Sequence, residues 1–312
     1  MSITVVGSVH VDFYIKVDRF PLVGETLLGR GFQISPGGKG ANQAVGCSKL
    51  GEETYIVGRI GKDFSEYLLA NFRNVGVKTD FLKIDLEHNT GVAFIILNTS
   101  TGENMIIIDP GADYWITRKD VDDALKAIVE SDIILLQLEI PLEINMYVSE
   151  IAFLKGKTVI LNPAPASKLP EEIFKYVKII TPNRVEASQL TGVEVRDLNT
   201  AVKAGKKLIE KGVEYSVITL GSQGAVLVTS DKYIYYPSFK VDVVDTTGAG
   251  DAFNAGLAVA LSQGHTIEEA VKWANACAAL KITKIGAQSG LPDKYELEEF
   301  LRKNQNYQMK IL

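Results

Sequence analysis

Between Asp245 and Asp251 the chain reads Asp-Thr-Thr-Gly-Ala-Gly-Asp, and no other stretch narrows its possible folds as much. Upstream, Phe239-Lys-Val-Asp-Val-Val244 is β-branched with partial alternation, which predicts a strand. Downstream, Ala252-Phe-Asn-Ala-Gly-Leu-Ala-Val-Ala-Leu261 is rich in strong helix formers. A strand that becomes a helix across Gly248, Ala249 and Gly250 belongs to an α/β architecture, and such small residues let a ligand approach the backbone. The first N–H groups of a helix have no partner within it. With the helix dipole they favour an anion, above all a phosphate. Asp251 stands beside that position, where a carboxylate can face the anion's transfer path, and an anion pocket beside a carboxylate is what phosphoryl transfer to a hydroxyl needs. The plainer alternative is a helix start, with Asp251 as a first-turn acid and glycines that only shape a turn.

The rest of the chain repeats this grammar. Asp132-Ile-Ile-Leu-Leu-Gln-Leu138 is a continuous apolar run suited to a parallel sheet covered on both faces. Further strands are expected at 3–6, 53–58, 81–84, 158–161, 177–180 and 215–219, with a hairpin at 225–229 and 233–237. Helices are expected after the glycine-rich loop 36–42, and at 65–75, 121–130, 142–154, 186–191, 199–211, 267–282 and 294–303. The residues after 303 read as loosely held. Strand-like pieces at 9–18, 26–35, 91–97 and 105–108 have no helices between neighbours. They read as a small antiparallel element projecting from the body, built from 12–35 and 91–108.

Composition limits the function classes. The 312 residues are 46% hydrophobic and 23% charged, enough for a full core in one large α/β domain or two small ones. A net charge of -5 argues against a general nucleic-acid binder. No uncharged run reaches membrane-spanning length, and the opening Met1-Ser-Ile-Thr-Val-Val-Gly7 reads as a strand, so a cytoplasmic location is the default expectation. Cys47 and Cys277 sit in helical contexts as small buried side chains, and His10, His88 and His265 are too scattered for a zinc site.

In an open α/β sheet, ligands bind outside the carboxyl ends of the strands. The polar outliers obey that rule. Glu139, Asn162, Asn183 with Glu186, and Leu220-Gly-Ser-Gln-Gly224 each follow a predicted strand. Five blocks in order then carry a resemblance: Gly7-Ser-Val-His-Val-Asp12, Gly37-Gly-Lys-Gly-Ala-Asn-Gln-Ala44, Asn162-Pro-Ala-Pro-Ala166, Thr181-Pro-Asn-Arg-Val-Glu186 and Asp245-Thr-Thr-Gly-Ala-Gly-Asp251. With them the chain, from Gly7 to about Pro292, resembles the ribokinase-like (PfkB) family of carbohydrate and nucleoside kinases. Within it, Gly37-Gly-Lys-Gly-Ala-Asn-Gln43 and Leu136-Gln-Leu-Glu139 point to the ribose-phosphorylating branch.

The resemblance implies a three-layer α/β fold, with a central mostly parallel sheet flanked by helices and a small β lid from about 12–35 and 91–108. It implies a homodimer clasped through that lid. It implies ATP-dependent phosphorylation of a sugar, most plainly the 5-hydroxyl of D-ribose. Asp251 would be the base, with Gly248, Ala249 and Gly250 holding the transferring group. The sugar would meet His10, Asp12, Gly38, Lys39, Asn42 and Glu139. Adenine nucleotide would lie along Thr219, Gly221 and Gly224 and near Asn275. Asn183 and Glu186 would organise magnesium, largely through water, and Asp245, Thr247, Gly286 and Gly290 would surround potassium. The bland readings are a helix cap for Asn42, a cap and first-turn acid for Asn183 and Glu186, and a solvated turn for Asp12.

Three positions depart from the family pattern. His10 stands where an Asn usually touches the sugar, Arg184 where the magnesium block often has Glu, and Gly290 where a Ser often lines the cation loop. The rival readings are a nucleoside kinase of the same fold, with His10 and Phe94 near a base, a kinase for another sugar or sugar acid, and a non-catalytic sugar or nucleotide sensor.

Overall fold

The computed structural model describes all residues, 1–312. In chain order the strands and helices are β1 (Ser2–Val6), β2 (His10–Val17), β3 (Arg30–Gly37), α1 (Lys39–Lys49), β4 (Glu53–Gly61), α2 (Ser65–Val75), β5 (Lys78–Asp85), β6 (Gly91–Asn98) and β7 (Asn104–Asp109). Then come α3 (Arg118–Asp123), α4 (Leu125–Glu130), β8 (Ile133–Gln137), α5 (Leu142–Leu154), β9 (Thr158–Asn162), α6 (Ile173–Tyr176), β10 (Ile179–Ile180), α7 (Arg184–Thr191) and α8 (Leu198–Lys211). The chain closes with β11 (Tyr215–Thr219), β12 (Ala225–Val228), β13 (Tyr233–Tyr236), α9 (Ala249–Ser262), α10 (Ile267–Lys281), α11 (Lys294–Lys303) and β14 (Lys310–Ile311).

Ten strands form one sheet in the order β5-β4-β1-β8-β9-β10-β11-β12-β13-β14. Every pair from β5 to β11 is parallel, and the last three pairs are antiparallel. Alternation along the strands divides the core in two. Ile3, Val5, Ile133 and Leu135 face a layer made by α1, α2, α9, α10 and α11. Val6, Ile134, Leu136 and Leu161 face the opposite layer, which includes α4 and α5. β8 is buried along its whole length, which is why its sequence shows no polar alternation except Gln137. Each such buried aliphatic side chain contributes about 1.5–3 kcal/mol. α9 and α10 meet closely, because a Cβ on Gly256 would lie 2.6 Å from Cys277 Sγ. Both cysteines are free and buried.

A second sheet, in the order β3-β2-β6-β7, stands apart from the body. The expectation of an antiparallel element needs correction here. β2 and β6 pair in parallel, from His10–Gly91 to Val17–Asn98. Between them the chain makes β3 and then α1, β4, α2 and β5, a crossover through the body, and such a crossover brings the chain back in the same direction as β2. The lid's other pairs are antiparallel.

Four further expectations fail locally. Residues 239–244 form no strand. They run as an irregular strap, with Val244 N and Asp245 N both donating to Ile282 O. β-branched composition suits a strand, but no neighbouring ladder is there to pair with it. The single helix over 121–130 is two, α3 and α4, broken at Ala124. The strand expected over 26–35 begins only at Arg30. The residues after 303 are not loose: β14 pairs with β13, and Tyr307 stacks on Phe239 at 4.2 Å.

Candidate active site

The glycine turn sits where the strap gives way to α9. Gly248 has φ 77, in the left-handed region, and a Cβ on it would lie 3.2 Å from Ala287 Cα. α9 starts at Ala249, which places Asp251 in its first turn with 5% of its surface exposed. Asn42 Nδ2 donates to Asp251 Oδ2 at 2.8 Å, and Gln43 Nε2 donates to Oδ1 at 3.1 Å. Gln43 is itself held by Gln137, whose Nε2 donates to Gln43 Oε1 at 2.6 Å. Burial raises the Asp251 pKa, while Lys39 and the two amides pull it down. The sequence reading missed Gln43 and Gln137. The available signal was one amide inside the otherwise apolar β8 run and another beside Asn42 in a buried helix.

The residues assigned to the sugar converge at the end of β1 and the start of β2. Gly38 has φ 89 and caps α1, and a Cβ there would strike His10 N at 2.7 Å. Gly37 leaves room for the Asp12 carboxylate. Asn42 lies inside α1 and does not cap it. Its Oδ1 is buried without a hydrogen-bond partner. Glu139 Oε2 accepts from Ser8 Oγ at 2.5 Å and from Lys39 N at 3.0 Å, so it binds the α1 N-terminus. Burial lifts Asp12 to about 6, against the pull of His10. Burial opposes the charge on Lys39, but Asp251, Glu139, Glu186 and Asp12 outweigh it and raise its pKa.

His10 has a partner that the sequence did not suggest. Its Nε2 lies 2.9 Å from Asp113 Oδ2, and both side chains are nearly inaccessible. Asp113 Oδ1 accepts from Val9 N at 2.9 Å. Burial works against the His10 charge, yet Asp113, with Glu139 and Asp12 behind it, lifts the pKa to about 9. Asp113 belongs to a short 3-10 turn, Gly111–Trp115, directly after β7, so the pair joins the root of the lid to the pocket floor.

Beside Asp251 a cavity of ≈ 200 Å³ is lined by Lys39, Asn183, Glu186, Thr246, Gly248 and Gly250, among others. Asn183 and Glu186 form a capping box on α7: Asn183 Oδ1 accepts from Val185 N and Glu186 N, and Glu186 Oε2 accepts from Asn183 N at 2.8 Å. The capping reading therefore describes their mutual bonds, and both still line the cavity. Burial raises the pKa of Glu186. With both residues already bonded to each other, they suit an ion held through its waters. Arg184 points away, to Arg196 O and Gln223 Oε1.

A larger cleft, ≈ 490 Å³, shares Thr219, Thr246, Ala249 and Gly250 with the first, so the two are continuous. Gly221, Gly224 and Asn275 are on its walls, with Phe239, Val241, Val243 and Ile282 supplying apolar surface. Asn275 Nδ2 donates to Pro237 O at 2.8 Å and to Tyr307 Oη at 3.0 Å. An apolar slot leading to backbone N–H groups suits a purine nucleotide with its phosphates at the turn.

Behind the turn, Asp245 Oδ1 accepts from Thr247 N at 2.9 Å and Oδ2 from Gly286 N at 2.8 Å. Burial raises the Asp245 pKa, but these donors and Lys281 prevail and lower it. The four residues assigned to potassium thus lie together around one loop. They do not fit a free ion, because the Lys281 ammonium stands among them, 2.8 Å from Asp245 O.

Residues 1–294 match the pfkB family of carbohydrate kinases. The chain belongs to that family. It is 40% identical over 301 residues to the ribokinase of Haemophilus influenzae, covering 96% of this chain and 98% of that one. It is 40% identical over 305 residues to the ribokinase of Bacillus subtilis, covering 96% and 99%. The fold superposes on Arabidopsis thaliana ribokinase complexed with ribose and ATP with a TM-score of 0.89, at 35% identity over 96% of this chain and 98% of that one. The three-layer fold and its β lid are those of the family, and the chain is a carbohydrate kinase. No helix is long and apolar enough to cross a membrane.

Proposed function

We propose that the chain transfers the γ-phosphoryl group of ATP to the 5-hydroxyl of D-ribose, giving ribose 5-phosphate and ADP. One observation carries this reading. Asp251 is the single carboxylate that both faces the glycine-turn cavity and is bonded to the sugar-side Asn42. A hydroxyl held by Asp12, Asn42 and Glu139 would present its proton to Asp251 and its oxygen to a phosphorus at the turn. The transfer is loose, so Asp251 acts chiefly by orienting the hydroxyl and accepting its proton late. The N–H groups of Ala249 and Gly250 stabilise the transferring group without reorganisation, and Lys39 adds positive charge on the same face. The departing ADP occupies the slot lined by Gly221, Gly224 and Asn275.

Magnesium, when bound with ATP, neutralises charge between the phosphate oxygens. Asn183 and Glu186 would hold its waters. The lid of β2, β3, β6 and β7 closes over the sugar and excludes water. Its exposed apolar residues Phe32, Ile34, Phe94 and Ile106 suit the lid of a second copy, as a lid-clasped homodimer requires. His10 is committed to Asp113 and Phe94 stacks on Phe13 at 5.3 Å, which supports a small polar acceptor over a nucleobase.

The test is the initial rate of ADP release with magnesium-ATP over D-ribose, 2-deoxyribose, fructose, adenosine, cytidine and 2-keto-3-deoxygluconate. D-ribose is expected to give the highest kcat/KM. A nucleoside in first place would overturn the substrate assignment, and no release with any acceptor would overturn the activity.

A further inference from the structure

The residue that stands out behind the glycine turn is Lys281. It is among the largest fully buried side chains of the protein, and its side-chain exposure is 0%. A lysine ammonium is almost never buried without compensation. Here Nζ donates to Asp245 O at 2.8 Å and to Lys284 O at 3.2 Å, and Asp245 Oδ2 lies 3.6 Å away. Lys281 is also the last residue of α10, where the helix dipole favours a cation. Two carbonyl oxygens and a carboxylate oxygen converging on one point make a monovalent-cation site, and the cation there is covalently attached to the chain.

Gly290 belongs to the same arrangement. A Cβ on it would lie 3.1 Å from Lys281 Cε and 2.7 Å from Gly286 O. A larger residue at 290 and the lysine side chain compete for one space. The ammonium group and a potassium ion carry the same charge and have nearly the same radius, so one stands in for the other at carbonyl oxygens. The ion's task in this position is mechanical. Asp245 holds Thr247 N and Gly286 N, and it leads into Gly248 and Gly250. Whatever cation fixes Asp245 also fixes the anion turn.

We propose that Lys281 is a built-in replacement for the monovalent cation, a positioning residue that holds the Gly248–Gly250 turn in place and makes the enzyme independent of potassium. This rests on the kinase reading above for its activity arm, and on the loop geometry alone for its binding arm. Where Lys281 is truncated, the oxygens around it regain room for a free ion.

The experiment compares the wild-type protein, Lys281→Ala and Lys281→Met in potassium, sodium and tetramethylammonium chloride at equal ionic strength. Both ADP release with ribose and the melting temperature are read. Wild type is expected to show the same rate and the same melting temperature in potassium as in tetramethylammonium, since a ligand with no site does not shift unfolding. Lys281→Ala is expected to lose about tenfold or more in rate in tetramethylammonium, the scale of one lost electrostatic contact, and to regain rate and melting temperature with potassium. Lys281→Met keeps the space filled, so it is expected to lose rate in every salt. Saturable activation and stabilisation of wild type by potassium would overturn the proposal, as would full activity of either folded variant in tetramethylammonium. If wild type phosphorylates no sugar, the activity reading falls, and the melting temperatures still decide whether Lys281 fills a cation site.

Discussion

The two sides of the Gly248–Gly250 turn are made of opposite materials. In front, Asp251, Asp12 and Glu186 are deeply buried, and burial raises the pKa of each. Behind, Asp245 receives two backbone N–H bonds and a lysine, and its pKa is lowered. Asp251 and Asp245 each accept two N–H bonds and face a lysine; what differs is burial, since Asp245 keeps 25% of its side chain exposed and the carboxylates in front are almost closed to water. The front therefore gains when ligands bring hydroxyl protons and magnesium. The back is already satisfied and has nothing to exchange. The carboxylates that must take part in chemistry are the ones withdrawn from water, and the carboxylate of the frame that aims them is not.

Breaking the front should cost turnover and spare the fold. Asp251→Asn is expected to lower kcat by about 10²–10⁴-fold, the range of a lost acid–base group, with the melting temperature unchanged or higher. Steady-state rates and a thermal melt check both halves. Lys39→Met follows, at about 10²-fold in kcat, because one positive group facing the transferring phosphoryl is gone.

Breaking the back should cost the frame as well. Asp245→Asn keeps the shape of the side chain but weakens two charged hydrogen bonds. A loss of about 1.5–3 kcal/mol in stability is expected, together with a fall in turnover smaller than for Asp251→Asn. Denaturant unfolding measures it. Unchanged stability would erase the contrast between the sides.

The pH response sharpens the same contrast. Asp12 titrates at about 6, above the ordinary carboxyl range. Protonation removes its acceptor role, so the sugar KM is expected to rise as pH falls through about 6, while the ATP KM stays flat. The effect on stability has the opposite sign. The folded protein binds this proton more tightly than the unfolded chain does, so the Asp12 contribution improves as pH falls through about 6. The smallest effect belongs to the cleft wall. Tyr307→Phe removes the hydrogen bond to Pro237 O at 2.7 Å and should cost about 1 kcal/mol of stability.

The legibility of the sequence follows the same division. Strands whose side chains are buried on both faces, such as β8, declare themselves by composition, and so do glycine junctions such as 248–250. The polar residues at strand ends, Asn162, Asn183, Glu186 and Thr219, were legible because a parallel sheet gathers those ends at one edge, and they do line one cavity. Partners far apart in sequence were not. Nothing local links His10 to Asp113, or Gln43 to Gln137, because the crossover that brings them together is a property of the whole sheet. Lys281 was hidden for another reason. At the end of a helix a lysine usually faces solvent, and only the loop folded over it makes it a buried cation. The strap at 239–244 misled through composition alone, since β-branched residues suit an extended chain whether or not a strand lies beside it.

The most direct measurement is proton-coupled phosphorus NMR of the product formed from D-ribose and magnesium-ATP. The account predicts one sugar phosphate formed for each ADP, with its resonance split into a triplet by the geminal protons of a primary carbon. A doublet, from phosphate on a secondary or anomeric carbon, would contradict the placing of the 5-hydroxyl against Asp251, and ADP formed without any sugar phosphate would contradict the kinase itself.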